Sequence, residues 1–381
     1  MAYFDWAASS RPDNDIVSES SEISLKYFAN PSSAHKPGKE SAAIILEAKK
    51  NIGKLLNVPA KKIIFTSGAS ESNNIIYTSF LNRQTKGKIL IFEGEHPSSY
   101  NPALYLSKRG FEIKAIPSDK FGRIKVDKLA RELDNNTLLI SIMSVNNETG
   151  AIQPIKEISE IIRDFEKAIG RNIHFHCDCA QAFGKLLSYD FLKDIDSFSL
   201  SGHKINAPKG CGLLYCRKNI IPVYFGGGQQ NNIRPGTENL LNALLISKSL
   251  DKYLFNDNDY VIRLKNRLLN GLKIIKSVYE IIPFDDYLDP SHHVPNISIF
   301  SIKNIPSEVT VRALSDKGHF CSAGSACSSG SNKLSRSLAS IGINEIVASS
   351  AIRVSLSMDN TEKEIDELLE AIEEILKIYN Y

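Results

Sequence analysis

The chain has 381 residues, 42% hydrophobic and 23% charged, with 46 Lys and Arg against 43 Asp and Glu for a net charge of +3. That balance, without a long basic run, argues against nucleic acid as a direct partner, and the length exceeds one ordinary core, so two domains or one large α/β domain with an appendage is expected. The longest apolar runs, such as 137–145, are too short to span a bilayer, and the first eight residues carry Asp5 rather than a basic-then-apolar leader, so a cytoplasmic protein without membrane attachment is expected.

Short β-rich runs at 62–66, 88–92, 111–116, 138–142, 173–177, 197–200 and 212–216 alternate with amphipathic stretches. Of these stretches, 155–169 carries Ile155, Ile158, Ile161, Ile162 and Phe165 at helical spacing. Such alternation predicts a largely parallel sheet covered by helices on both faces, with ligands bound beyond the carboxyl ends of the strands. Residues 238–277 predict one or two long helices with an Asn/Asp-rich interruption at 256–259, bridging to a smaller C-terminal domain. The last helix is marked by Thr361 and Glu364 as a capping box, and by Ile365, Leu368, Leu369, Ile372, Ile375 and Leu376 on one face. The six cysteines, at 177, 179, 211, 216, 321 and 327, are expected to be free thiols.

Several segments carry chemistry. The run from Phe65 through Gly68 into Ala69 and Ser70 passes from a strand into a helix, where backbone amides and a hydroxyl suit an anion. Asp178 ends an apolar strand, where a carboxylate is costly unless it meets a cation such as a protonated pyridine nitrogen. Alone, it equally fits a cap or a pairing with a surface lysine. Gln181 lies three residues on. His174, His176 and Asp178 share one strand face and also fit a transition metal, which makes a metal-dependent hydrolase the rival reading. Lys204, in Ser201-Gly202-His203-Lys204, sits among turn formers, as a Schiff-base lysine would, although a lone loop lysine is ordinarily just solvated. A second Gly-rich stretch, 226–239, offers Arg234 and Thr237 as anion contacts. Cys327 lies in a Ser/Gly/Ala-rich loop, not among apolar neighbours, as suits an exposed thiol on a flexible arm.

Taken together, the chain resembles the NifS/IscS-type cysteine desulfurases, in the class V branch of fold-type I pyridoxal-phosphate enzymes. The resemblance runs nearly end to end. It rests on Tyr3-Phe4-Asp5-Trp6-Ala7-Ala8, Asn30-Pro31-Ser32-Ser33-Ala34-His35, Phe65 to Glu71, Glu95-His96 and Val145 to Gly150. The Asp178/Gln181 and Ser201 to Lys204 segments, Arg234 to Asn239, Gly324-Ser325-Ala326-Cys327 and Ile352-Arg353-Val354-Ser355 complete it. It implies a large cofactor-binding domain, 16–255, with a mainly parallel seven-stranded sheet, and a smaller α+β domain, 1–15 with 256–381, carrying the Cys327 loop. It implies that Lys204 holds pyridoxal 5'-phosphate, with His96 stacked on the ring, Asp178 on its nitrogen, and Gln181 and Asn147 near its phenolic oxygen.

Ala69, Ser70, Ser201 and His203 would bind the phosphate, with Thr237 supplied by the other subunit of a homodimer. Arg353, with Asn30 and Asn147 nearby, would receive the substrate carboxylate. The implied reaction takes L-cysteine to L-alanine: the Lys204 amine shifts the α-proton, and the Cys327 thiolate attacks the sulfur and becomes a persulfide. The sulfur then goes to an acceptor protein, an iron–sulfur scaffold or a tRNA-thiolation enzyme. No resident metal is implied, beyond a transient iron–sulfur or sulfur contact at Cys327. Selenocysteine lyase, or another β-lyase or aminotransferase, is the alternative within the family. Trp6, the 230–232 stretch, Pro235 and Cys321 depart from the family pattern.

Overall fold

The computed structural model describes residues 1–221, 223–255, 258–324 and 335–379. In chain order its strands begin with β1 (Ala2–Tyr3), β2 (Ile63–Thr66), β3 (Lys88–Phe92), β4 (Glu112–Ile116) and β5 (Thr137–Ser141). Next come β6 (His174–Asp178), β7 (Ser197–Ser201), β8 (Gly212–Cys216) and β9 (Val278–Glu280). The series closes with β10 (Ile297–Ile302), β11 (His319–Phe320), β12 (Ser322–Ala323) and β13 (Ala351–Ser355).

Seven strands form one sheet in the order β2-β8-β7-β6-β5-β3-β4. Only β8 runs against its neighbours; the other pairings are parallel. Along each strand, alternate side chains enter opposite cores. Ile63, Phe65, Leu90, Ile140 and Leu213 pack on one face with Ile45, Ile52, Ile158 and Leu244 from helices. Ile64, Ile89, Ile91, Leu139 and Leu214 pack on the other with Ile75, Ile76, Ala103 and Leu106. Helices therefore cover both faces, which explains why the inner strands are buried along their whole length. The edge strand β4 is the exception: Glu112 and Lys114 face solvent and discourage further pairing.

The helix expected at 155–169 spans Ile155–Ile169 and stops at Gly170, whose φ of 64° suits a left-handed cap. Residues 238–277 form two helices, Leu240–Tyr253 and Asn258–Ile274. The last helix, Glu362–Ile378, has both halves of the predicted capping box.

A second core unites Ala2 and Phe4 with residues from Val261 to Leu376. It is built on a four-stranded sheet in the order β12-β13-β10-β9, while β1 pairs with β11. Trp6, which departs from the family pattern, donates from Nε1 to Tyr3 O at 2.8 Å and packs edge-on against the Tyr3 ring. Because β8 is reversed, its first residue, Gly212, lies beside the carboxyl ends of β2 and β7. That edge of the large sheet, facing the second core, is where the chemistry-bearing side chains collect.

Candidate active site

A cavity of about 540 Å³ lies at this edge, between the large sheet and β12–β13. Its back wall is Asp178, the last residue of β6. Asp178 Oδ2 accepts from Asn73 Nδ2 at 2.7 Å and Oδ1 from the Ala180 amide at 2.9 Å. Asn73, fully buried, also donates to Ser98 Oγ at 2.9 Å, and its Oδ1 lies 3.0 Å from His176 Nε2. With both amide hydrogens donated, that oxygen acts as the acceptor and the proton belongs to His176 Nε2. His176 Nδ1 then accepts from Ser197 Oγ at 2.8 Å, and Ser197 Oγ accepts from His174 Nε2 at 2.8 Å. Burial holds His176 down at about 3 and His174 at about 4, so both rings are neutral.

These bonds dispose of the rival metal reading. Both nitrogens of His176 are spent on Ser197 and Asn73 and His174 Nε2 on Ser197, and no group of three or more metal-ligating side chains exists among the described residues.

His96 caps the helix Pro97–Ser107: its Nδ1 accepts from the Ser98 amide at 3.1 Å and lies 2.8 Å from Ser98 Oγ. Burial lowers its pKa, with Asp178 opposing, so a neutral ring faces the cavity. Behind it, burial and then Asp178 push the Glu95 carboxyl well above the usual carboxylate range.

Lys204 ends the single turn Gly202–Lys204 that follows β7. That turn needs glycine, since a Cβ on Gly202 would come within 3.0 Å of Ile246, Ala207 and Cys211. Lys204 Nζ donates to Ala7 O at 2.6 Å and Ala8 O at 2.8 Å, so the N-terminal segment caps the amine. Gln181 Nε2 donates to the same Ala7 carbonyl at 2.8 Å, while its buried Oε1 has no partner. Beneath lies a second buried lysine, Lys185, lowered to about 7 by burial and by the charge of Lys204.

The anion cradle is the start of the helix Ala69–Thr78. A Cβ on Gly68 would sit 3.6 Å from Ser201 Oγ, so that hydroxyl faces the helix start. His203 adds a buried Nδ1 without a partner; burial, then Lys204, Lys209 and Lys185, lower the ring to about 4. Arg234 pairs with Glu71 at 2.9 Å. Opposite the cradle, Arg353 of β13 donates from Nη1 to Asn147 O at 2.9 Å and from Nη2 to Asp5 Oδ1 at 2.8 Å.

The cavity thus brings together Ala69, Ser70, His96, Asn147, Asp178, Gln181, Ser201, His203, Lys204 and Arg353. Three expected residues do not line it, Arg234, held by Glu71, being the first. Asn30 is exposed and its Oδ1 accepts from the Ser32 amide, and Thr237 is exposed on its own loop. Cys327 lies outside the described residues, as does Ser325. Cys321 is buried in the second core and raised to about 12 by burial, which makes it a packing residue. The other four described cysteines are also buried, free thiols. Sequence reasoning missed Asn73, Ser98, Asp5, Ser322 and the Ala7 and Ala8 carbonyls.

A model of the aminotransferase class-V family matches residues 2–368. The chain belongs to that family. It is 34% identical to a NifS/IcsS protein homolog of Lactobacillus delbrueckii subsp. bulgaricus over 388 residues, covering 100% of this chain and 98% of the relative. It is 35% identical to cysteine desulfurase IscS of Methanosarcina thermophila, covering 98% and 92%. Among solved structures, a NifS-like protein superposes with a TM-score of 0.89 at 31% identity over 99% of both chains. For this member of the class-V family, both the resemblance and the α/β fold expected from the sequence stand.

Proposed function

We propose that the protein is a pyridoxal 5'-phosphate-dependent cysteine desulfurase that converts L-cysteine to L-alanine and takes the sulfur onto Cys327. The observation that carries this reading is the convergence, in one cavity, of an amine at Lys204, a buried carboxylate at Asp178, a helix start and a buried arginine at Arg353. The residues fit the cofactor. The unpartnered Gln181 Oε1 and His203 Nδ1 are buried polar atoms with no protein partner, and Gly68, Ala69, Ser70 and Ser201 leave an open helix start for a phosphate.

Bound there, the cofactor supplies a carbonyl for Lys204 and a protonated ring that draws electrons from the substrate α-carbon. Asp178, fixed by Asn73 and the Ala180 amide, would meet the ring nitrogen. His96, neutral and held by Ser98, would stack on the ring. Lys204 Nζ carries the α-proton, and Arg353 receives the carboxylate of the amino acid. Cys327 Sγ, as thiolate, attacks the substrate sulfur: an S–S bond forms, the C–S bond breaks, and the electron pair and a proton end on the alanine carbon. A persulfide remains on Cys327.

The family relatives support an acceptor protein as the next recipient of that sulfur. Thr237, exposed and away from its own cavity, fits a residue lent to the phosphate site of a second copy in a homodimer. The separate cores support a large domain, 16–255, and a small one, 1–15 with 256–381, although Ala7, Val294 and Ile297 pack in the larger core. None of the described helices is long and apolar enough to cross a membrane, and we place the protein in the cytoplasm.

Incubating the purified, cofactor-loaded protein with L-cysteine tests the reading. Equal alanine and protein-bound persulfide in the first turnover are expected, with the persulfide mapped to Cys327 by mass spectrometry. Cys327→Ala should abolish both while keeping the bound chromophore; unchanged alanine formation in that variant overturns the assignment.

A further inference from the structure

Arg353 is already engaged before any substrate arrives. It projects from β13 at the register position opposite Ser322 of β12, and its side chain is nearly buried. The N-terminal segment runs beside the same strand: Asp5 bridges to Ser355, the Ser355 amide donates to Phe4 O at 2.7 Å, and the Ala7 amide donates to Ser355 Oγ at 2.9 Å. These backbone anchors hold the Asp5 carboxylate against the guanidinium. Asp5 Oδ1 accepts from Arg353 Nη2 at 2.8 Å and from Ser322 Oγ at 2.7 Å, and Nη2 also reaches Ser322 Oγ at 3.3 Å. Asn147 O takes Nη1, and Nε is buried with no partner. Asp5 Oδ1 on Nη2, together with Asn147 O on Nη1, therefore sets the orientation of the arginine. The same Asp5 oxygen ties down Ser322, three residues before the segment 325–334 that contains Cys327.

We infer that Asp5 is the positioning residue of the carboxylate pocket: it aims Arg353 at the α-carboxylate of the incoming amino acid. A long arginine side chain carries several rotatable bonds, and a charge-assisted hydrogen bond that holds it in one rotamer removes that ordering cost from substrate binding. Asp5 also offsets part of the Arg353 charge, so geometry rather than bare charge decides which anion is held. This inference rests on the desulfurase reading only in naming the amino acid.

The test compares Asp5→Ala with Asp5→Asn, which keeps the accepting oxygen but drops the charge. Steady-state turnover of L-cysteine by the cofactor-loaded enzyme should show KM raised about tenfold in Asp5→Ala with kcat within about threefold, and KM restored to within about threefold of the wild type in Asp5→Asn. Binding of L-alanine, measured by calorimetry without turnover, should weaken in parallel in Asp5→Ala and recover in Asp5→Asn. A KM and an L-alanine affinity within twofold of the wild type in Asp5→Ala overturn the inference. So does a loss of kcat and melting temperature together that Asp5→Asn does not rescue, because that is a purely structural role. If the wild type makes no persulfide from L-cysteine, the functional reading fails by itself, and the L-alanine titrations still decide the role of Asp5.

Discussion

Asn73 shows how much of the site depends on one uncharged side chain. It joins Asp178, Ser98 and His176 through three hydrogen bonds, and Ser98 in turn holds His96, so both residues expected to touch the ring are anchored on it. Asn73→Ala leaves the Asp178 carboxylate and the His176 ring each short of a buried partner. Urea unfolding of the cofactor-free protein should show roughly 2 kcal/mol less stability. Asn73→Asp instead sets a second carboxylate against Asp178 and should be the more damaging variant at pH 8. The gap between the two variants should narrow towards pH 5, because two carboxylates sharing one site take up a proton above their usual range. An equal loss at both pH values would remove the electrostatic part of this account. Lys204, Asp178 and His96 were legible in the sequence because their types and neighbours announce chemistry. Asn73 and Asp5 were not: an amide in a helix and a carboxylate in an extended segment acquire their roles only from what lies across the cavity.

The elements aim these side chains through close backbone contact. Gly212 opens β8 directly against the turn that starts the helix Ala69–Thr78, and a Cβ there would lie 2.3 Å from Gly68 Cα. No side-chain rotation relieves a clash with backbone, so Gly212→Ala must push the turn away from Ser201. A stability loss of about 1–3 kcal/mol in urea is expected. The variant should also retain less of the phosphate-bearing cofactor after dialysis, read from its absorbance. Full retention would mean that the turn tolerates the shift. The helix start itself was legible from the residues around Gly68. The reversal of β8, which brings Gly212 to this edge, was not, because a fully buried strand has the same composition whichever way it runs.

Across the whole molecule, buried imidazoles make the protein acid-sensitive. Burial lowers His174 and His203 from the ordinary 6.5 to about 4, and His176 and His293 to about 3. Between pH 6.5 and about 4 the unfolded chain binds protons that the folded chain refuses, so stability falls as pH falls through that window. Asp196 adds to the same trend: against its burial, His174 once protonated in acid, then Lys218 and Arg163, hold its carboxyl well below the usual range, so its contribution is lost as acid protonates it. His174→Gln keeps a donor for Ser197 without a titrating ring. The dependence of its unfolding free energy on pH, followed from 6.5 to 4.5, should be shallower than that of the wild type by up to one proton. An unchanged slope would show that His174 does not carry this sensitivity.

By itself the sequence determined the α/β class, the seven-stranded sheet, the capping of the last helix, and most side chains of the cavity. Those depend on local periodicity, turn chemistry and motif, all of which are written along the chain. The tertiary structure decided the rest. It turned His174 and His176 from candidate metal ligands into a hydrogen-bonded relay behind Asp178, and it left Asn30 and Thr237 outside the cavity. It also set Ala7, Ala8 and Asp5 against Lys204 and Arg353, nearly two hundred and three hundred and fifty residues away in sequence. Partners so distant are chosen by packing and register, because a buried polar group takes whichever counterpart the fold brings within reach.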